Sequence, residues 1–85
     1  GGVRMKVKVK FWSYFRDHTG CEETTAEMDD GATLADLMTT VHEQFPKLDG
    51  TEKCTLKAVG VEYQDDNYVL NDGDEVSLFP PVQGG

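Results

Sequence analysis

The sequence predicts an α+β domain, a mixed sheet of four to five strands with one main helix packed on one face. Three observations carry this. An N-terminal run alternates apolar residues with lysine, residues 33–45 have helical periodicity, and strand-like segments resume after the helix. Strands, then a single amphipathic stretch, then strands again is the order in which a helix covers one side of a sheet. With 85 residues the chain has the length of one domain. A chain this small buries only a little over about 60% of its unfolded surface, which argues against a deep enclosed site.

The first strand is "MKVKVKF". Met5, Val7, Val9 and Phe11 fall on one face, and Lys6, Lys8 and Lys10 fall on the other. "DHTG" reads as a turn, and "EETTAEM" (22–28) as a weaker strand that pairs back as a hairpin before "DDG" ends it. Leu34, Leu37, Met38, Val41 and Phe45 share one helical face. Thr33 is the expected N-cap, with Asp36 three residues on, and Pro46 is the stop. After a polar connection at "KLDGTEK", the run 54–63 reads as a third strand, with Cys54 in a buried strand position, and "NYVL" (67–70) as a short strand. "NDGD" turns the chain into "EVSLF" (75–79), where Val76 and Leu78 face the core and Ser77 and Phe79 face away. Residues 5–79 thus form the domain and 80–85 an extended tail. Gly1-Gly2-Val3-Arg4, ahead of Met5, reads as a cloning remnant outside the fold.

The net charge is −8 and unevenly placed. Residues 1–20 carry five Lys and Arg against one acid, whereas residues 21–85 carry three Lys against fifteen. Such an acidic surface repels phosphate backbones, so nucleic acid is an unexpected partner. A basic protein surface is a better match. No apolar run is long enough to span a bilayer, and no signal-peptide core is present. The chain therefore reads as a soluble, cytoplasmic protein without a membrane partner. Cys21 and Cys54 are far apart and lack metal-ligand spacing, so reduced thiols and no metal site are expected.

Side-chain catalysis finds little support. His18, placed in a turn, and His42, on the helix, have no Ser, Cys or Asp arrangement of a triad beside them. Asp29-Asp30 and Asp65-Asp66 read as solvated turn residues rather than acid/base pairs. The end of the chain, "SLFPPVQGG", is different. Pro80 and Pro81 lack N–H groups and hold φ near about −65°, so they take the chain off the sheet in a stiff, extended form. Val82, Gln83, Gly84 and Gly85 follow. Glycines without Cβ suit a narrow channel in a partner and leave the terminal carbonyl open to a nucleophile. A carboxylate becomes reactive only once activated, commonly as an acyl-adenylate made from ATP. Ordering such a tail costs about 1–2 kcal/mol per residue, so the folded body must supply docking surface. Phe79, expected as an exposed apolar anchor beside an acidic face, is the candidate.

These residues carry a resemblance. "DGDEVSLFPPVQGG" (72–85) resembles the C-terminus of the small subunits of molybdopterin synthase, which are ubiquitin-like sulfur carriers. "VKVKFWSYFRDHTG" (7–20), "TLADLMTTVHEQFP" and "AVGVEY" (58–63) extend it over essentially all of 5–85. The resemblance implies a β-grasp fold. It also implies that Gly85 is adenylated by an activating enzyme related to ubiquitin-activating enzymes and converted to a thiocarboxylate by a sulfur-donating enzyme. The tail would enter a pocket of the large synthase subunit and donate sulfur there to cyclic pyranopterin monophosphate. On this pattern Phe79 docks the partner, and Pro80, Pro81, Val82, Gln83 and Gly84 form the threading tail. The chain binds no cofactor itself, and ATP is used by the activating enzyme. The chain is then a non-catalytic subunit and co-substrate. One departure is Gly60, where members often carry Asn; it is expected to affect a local turn only. Two alternatives stay open: a ubiquitin-like modifier joined to lysines through Gly85, and a sulfur carrier for tRNA thiolation, thiamine or tungsten cofactor.

Overall fold

A computed structural model of the chain describes residues 4–51 and 54–81. Five strands form one sheet: β1 (Arg4–Phe11), β2 (Glu23–Asp29), β3 (Leu56–Val59), β4 (Glu62–Tyr63) and β5 (Glu75–Phe79). Their order across the sheet is β2-β1-β5-β3-β4. β1 and β5 run parallel at the centre, and every other pairing is antiparallel. The main helix is α2 (Leu34–Gln44); a short helix, α1 (Phe15–Thr19), lies between β1 and β2.

Alternation in β1 does what period two requires. Met5, Val7, Val9 and Phe11 are buried, while Lys6 and Lys8 are exposed and Lys10 is half-buried. α2 begins with a complete capping box. The Thr33 hydroxyl accepts from the Asp36 N–H, and the Asp36 carboxylate accepts from the Thr33 N–H at 2.9 Å. Its apolar stripe buries Leu34, Leu37 and Val41 against Val7, Val9, Val76 and Leu78; Met38 and Phe45 are only partly buried at the margins. Phe45 meets Phe11 edge-on, ring centroids 5.2 Å apart.

Several expectations need correction. The segment around "DHTG" is helical: α1 buries Phe15 and ends at Gly20 in the left-handed conformation, φ 77°. His18 therefore sits on a helix. Arg4, assigned above to a cloning remnant, is the first residue of β1, and its guanidinium lies 3.2 Å from Asp29; residues 1–3 fall outside the described residues. Run 54–63 is a hairpin rather than one strand, because Gly60, at φ 61°, turns the chain between β3 and β4. That left-handed position is one that Gly and Asn tolerate best, which explains how the two can exchange there. Cys54 precedes β3 and is exposed. "NYVL" contributes only an isolated bridge, Val69 to Thr33. The connection after α2 is less polar than it reads: Pro46–Leu48 forms a 3-10 turn that buries Leu48 completely enough to join the core.

Candidate functional site: the root of the C-terminal tail

β5 delivers the chain to the tail. Its register with β1 pairs Val9 with Val76 and Phe11 with Leu78. Val76 and Leu78 are fully buried beneath α2. By alternation Phe79 stands on the opposite, helix-free face, as expected. There the structure adds what the sequence did not announce. Trp12, the residue after β1, donates its N–H to the Leu78 carbonyl at 3.1 Å. Its indole stacks on Phe79 with centroids 5.5 Å apart and planes 18° from parallel. Tyr63 of β4 meets Phe79 edge-on from the other side at 6.4 Å. Offset stacking and edge contacts of this kind hold aromatic rings in place beyond their area of contact.

Phe79 is half-buried in this cluster, whereas Trp12 is 42% and Tyr63 69% exposed. Its neighbours are thus aromatic, not acidic as expected. Further back on this face Lys10 pairs with Glu75, 3.3 Å apart. The acids of β2 interleave with the lysines of β1 instead of forming a separate face: Lys6 stands opposite Glu27 and Lys10 opposite Glu23. Register, which composition cannot reveal, mixes the two charge blocks.

Phe79, Pro80 and Pro81 join Ser13, Tyr14, Leu56 and Tyr63 in lining an open cleft of about 440 Å³. β5 stops at Phe79, as a proline lacking an N–H requires. Pro80 is buried in the cleft wall and Pro81 half-buried, so the tail leaves from a packed base. Ser13 turns the chain out of β1 at φ 55°, the one non-glycine among the described residues with a positive φ. A left-handed serine costs conformational energy, and here it sits between two residues, Trp12 and Tyr14, that shape the tail root. Val82, Gln83, Gly84 and Gly85 lie outside the described residues.

The conventional catalytic candidates are dispersed. His18 Nδ1 lies 3.0 Å from the Tyr14 carbonyl. His42 Nδ1 lies 3.6 Å from Asp49, joining α2 to the turn that follows it. Asp29 pairs with Arg4, Asp66 with Lys57 at 3.1 Å, and Asp65 accepts from the Asn67 N–H. Among the described residues no group of three His, Cys, Asp or Glu could hold a metal ion, and no helix is long and apolar enough to cross a membrane. Burial pushes the Tyr68 phenol above its ordinary pKa. The hydrogen bond to Asp74 (3.0 Å) and that carboxylate's charge act in the same direction, and the Asn71 amide acts against them.

Comparison with known proteins agrees with this architecture. The model of the ThiS family matches residues 9–85. The molybdopterin synthase sulfur carrier subunit of Chlamydomonas reinhardtii is 37% identical, over 95% of this chain and 100% of that protein. Small archaeal modifier protein 3 of Haloferax volcanii is 29% identical over 95% of this chain and 100% of its own length. Among solved structures, molybdopterin converting factor subunit 1 of Pyrococcus furiosus superposes with a TM-score of 0.84 at 31% identity, covering 92% of this chain and 99% of that one. The complex of subunits 1 and 2 of the Helicobacter pylori molybdopterin-converting factor contains a chain matching at TM-score 0.69 and 28% identity, over 95% of this chain and 100% of that one. The fold is the ubiquitin-like β-grasp.

Proposed function

This chain belongs to the ThiS family, and from that premise we propose that the carboxylate of Gly85 is its working group and the folded body the handle that presents it. The role is that of a sulfur carrier in molybdenum cofactor biosynthesis. In the proposed cycle the Gly85 carboxylate attacks the α-phosphate of ATP on an activating enzyme, releasing pyrophosphate and leaving an acyl-adenylate. A sulfur nucleophile from a donor enzyme displaces AMP and leaves a thiocarboxylate. Its sulfur attacks cyclic pyranopterin monophosphate in the large synthase subunit, and water then cleaves the acyl–sulfur bond, leaving sulfur on the substrate and a carboxylate on Gly85. ATP-dependent activation and reduced thiols at Cys21 and Cys54 fit a cytoplasmic setting.

The observation that carries this reading is the aromatic platform at the tail root. Trp12 and Tyr63, both exposed, flank the half-buried Phe79 at the end of the strand that leads into Pro80 and Pro81. Large exposed aromatic groups gathered at one place mark binding surfaces, and aromatic anchors dominate binding energy. A large-subunit partner seated there would receive the tail in its own pocket, with Pro80 and Pro81 fixing the direction of entry. The partner in the Helicobacter pylori complex, subunit 2 of the converting factor, is the kind of protein this surface would meet.

The modifier reading is favoured by the Haloferax volcanii relative, small archaeal modifier protein 3. Mass spectrometry of the chain and its co-purifying proteins from native cells separates the two. Replacement of one oxygen by sulfur at Gly85, with a large synthase subunit in stoichiometric amount, is the expected result. Gly-Gly remnants on lysines of many unrelated proteins, without sulfur at Gly85, would overturn the carrier reading in favour of the modifier.

A further inference from the structure

The sheet has two edges of very different character. β4 offers two residues, whereas β2 offers seven, with no strand beyond it among the described residues. The pattern of pairing fixes which backbone groups of β2 face outward. Phe11 donates its N–H to the Glu22 carbonyl at 2.8 Å, and the register continues from there as Lys10 opposite Glu23 and Val9 opposite Thr24. In an antiparallel ladder, bonded and non-bonded pairs alternate. Thr24, Ala26 and Met28 therefore aim their N–H and C=O groups at β1, and Glu23, Thr25 and Glu27 aim theirs away from it. Arg4 Nη2 already donates to the Glu27 carbonyl at 2.8 Å. The outward groups of Glu23 and Thr25 and the Glu27 N–H have no partner among the described residues.

The side chains of the same three residues are exposed on the helix-free face. Lys8 approaches Glu23 only to 3.9 Å, and the Glu27 carboxylate has no ion pair among the described residues. On the other face, Met28, Ala32, Asp36, Thr39 and Thr40 line an open groove of about 490 Å³ between the end of β2 and α2.

We propose that the β2 edge is a second docking surface, remote from the tail, which accepts an extended basic segment of a partner protein as a sixth strand. Its preferred sequence follows from the register. Residues of the incoming strand that face Glu23 and Glu27 are four apart, so Lys or Arg belongs at positions i and i+4, with a β-branched residue opposite Thr25 at i+2. Positions i+1 and i+3 fall opposite Thr24 and Ala26, on the face that α2 covers, and take Val or Thr. β1 already shows that such a strand fits: its Lys6, Lys8 and Lys10 face Glu27, Thr25 and Glu23, with Val7 and Val9 between them. A second copy of this chain is a poor occupant. Antiparallel self-pairing about Thr25 would set Glu23 against Glu27, and like charges directly opposite destabilise a strand pair. The acids that keep this edge from pairing with itself are the groups that select a basic strand.

The test uses the full chain and an acetylated, amidated peptide with the core Lys-Val-Thr-Val-Lys, with Glu replacing both Lys in a control. Amide spectra are expected to show shifts and slowed solvent exchange at Glu23, Thr25 and Glu27. Binding should fall more than about tenfold in Glu23→Lys/Glu27→Lys and weaken with added salt. Should that variant fail to fold, Thr25→Pro decides: it removes one outward N–H, which an edge strand tolerates, and it should abolish peptide binding. Equal binding of the Glu peptide, unprotected β2 amides at millimolar Lys peptide, or shifts confined to Trp12, Tyr63 and Phe79 would overturn the proposal.

Discussion

β5 has two faces, and they are built for different purposes. Toward α2, Val76 and Leu78 are fully buried in aliphatic surroundings with Val7, Val9, Leu37 and Val41. Away from it, Ser77 is buried but Phe79 is half-open, held between Trp12 and Tyr63. Residues one step apart on the same strand thus have different surroundings, and on the function proposed above they would serve stability and recognition separately. The buried face gains its free energy once, on folding. The aromatic face keeps apolar surface in water, and that surface becomes useful only when a partner covers it.

The largest expected effect lies in the tail. Deleting Gly85, or adding one residue after it, should abolish sulfur transfer in a reconstituted synthase assay while the thermal midpoint stays unchanged. Transfer that survives the deletion would detach both faces from the function proposed for them. Next is the inner face. Leu78→Ala removes a fully buried side chain and should cost about 2–5 kcal/mol in denaturant unfolding, with the folded fraction still competent for transfer. Then comes the outer face. Phe79→Asp should weaken binding to the large subunit by about 2 kcal/mol or more, as loss of an aromatic anchor does, with a smaller loss of stability from the stacking on Trp12. If stability falls more than binding, the two faces are not separable and Phe79 is core.

How much of this was legible beforehand follows from which interactions are local. The period of β1, the Thr33–Asp36 cap and the parity of Val76, Leu78 and Phe79 all depend on near neighbours in sequence, and each is as expected. Trp12 was overlooked although its parity could be read: it follows Phe11 and so faces the lysine side. What parity does not supply is register, and the parallel pairing of Phe11 with Leu78 is what brings Trp12 to Phe79. The same blindness to register produced the acidic face that the structure replaces with interleaved charges. Leu48 was missed because a single leucine in a polar connection has no period. α1 was missed because five residues are too few to show one.

Near the start of β5 the two faces meet a smaller polar element, and it yields the smallest effect. Tyr68 donates its hydroxyl to Asp74, which also accepts from the Asn71 N–H at 2.9 Å and so organises the turn that launches β5. Tyr68→Phe removes the donor and leaves Asp74 its backbone partner, so the expected loss is about 1 kcal/mol, within the range for one hydrogen bond. Burial raises the folded-state pKa of this phenol above its unfolded value. The stabilisation is therefore complete below the ordinary tyrosine range and is lost as pH climbs through the raised folded value. Unfolding of the native chain and of Tyr68→Phe, followed by denaturant from neutral to strongly alkaline pH, should show the gap between them closing only at the alkaline end. A gap that stays constant there would mean the phenol titrates alike in both states, and that this turn holds β5 through its backbone alone.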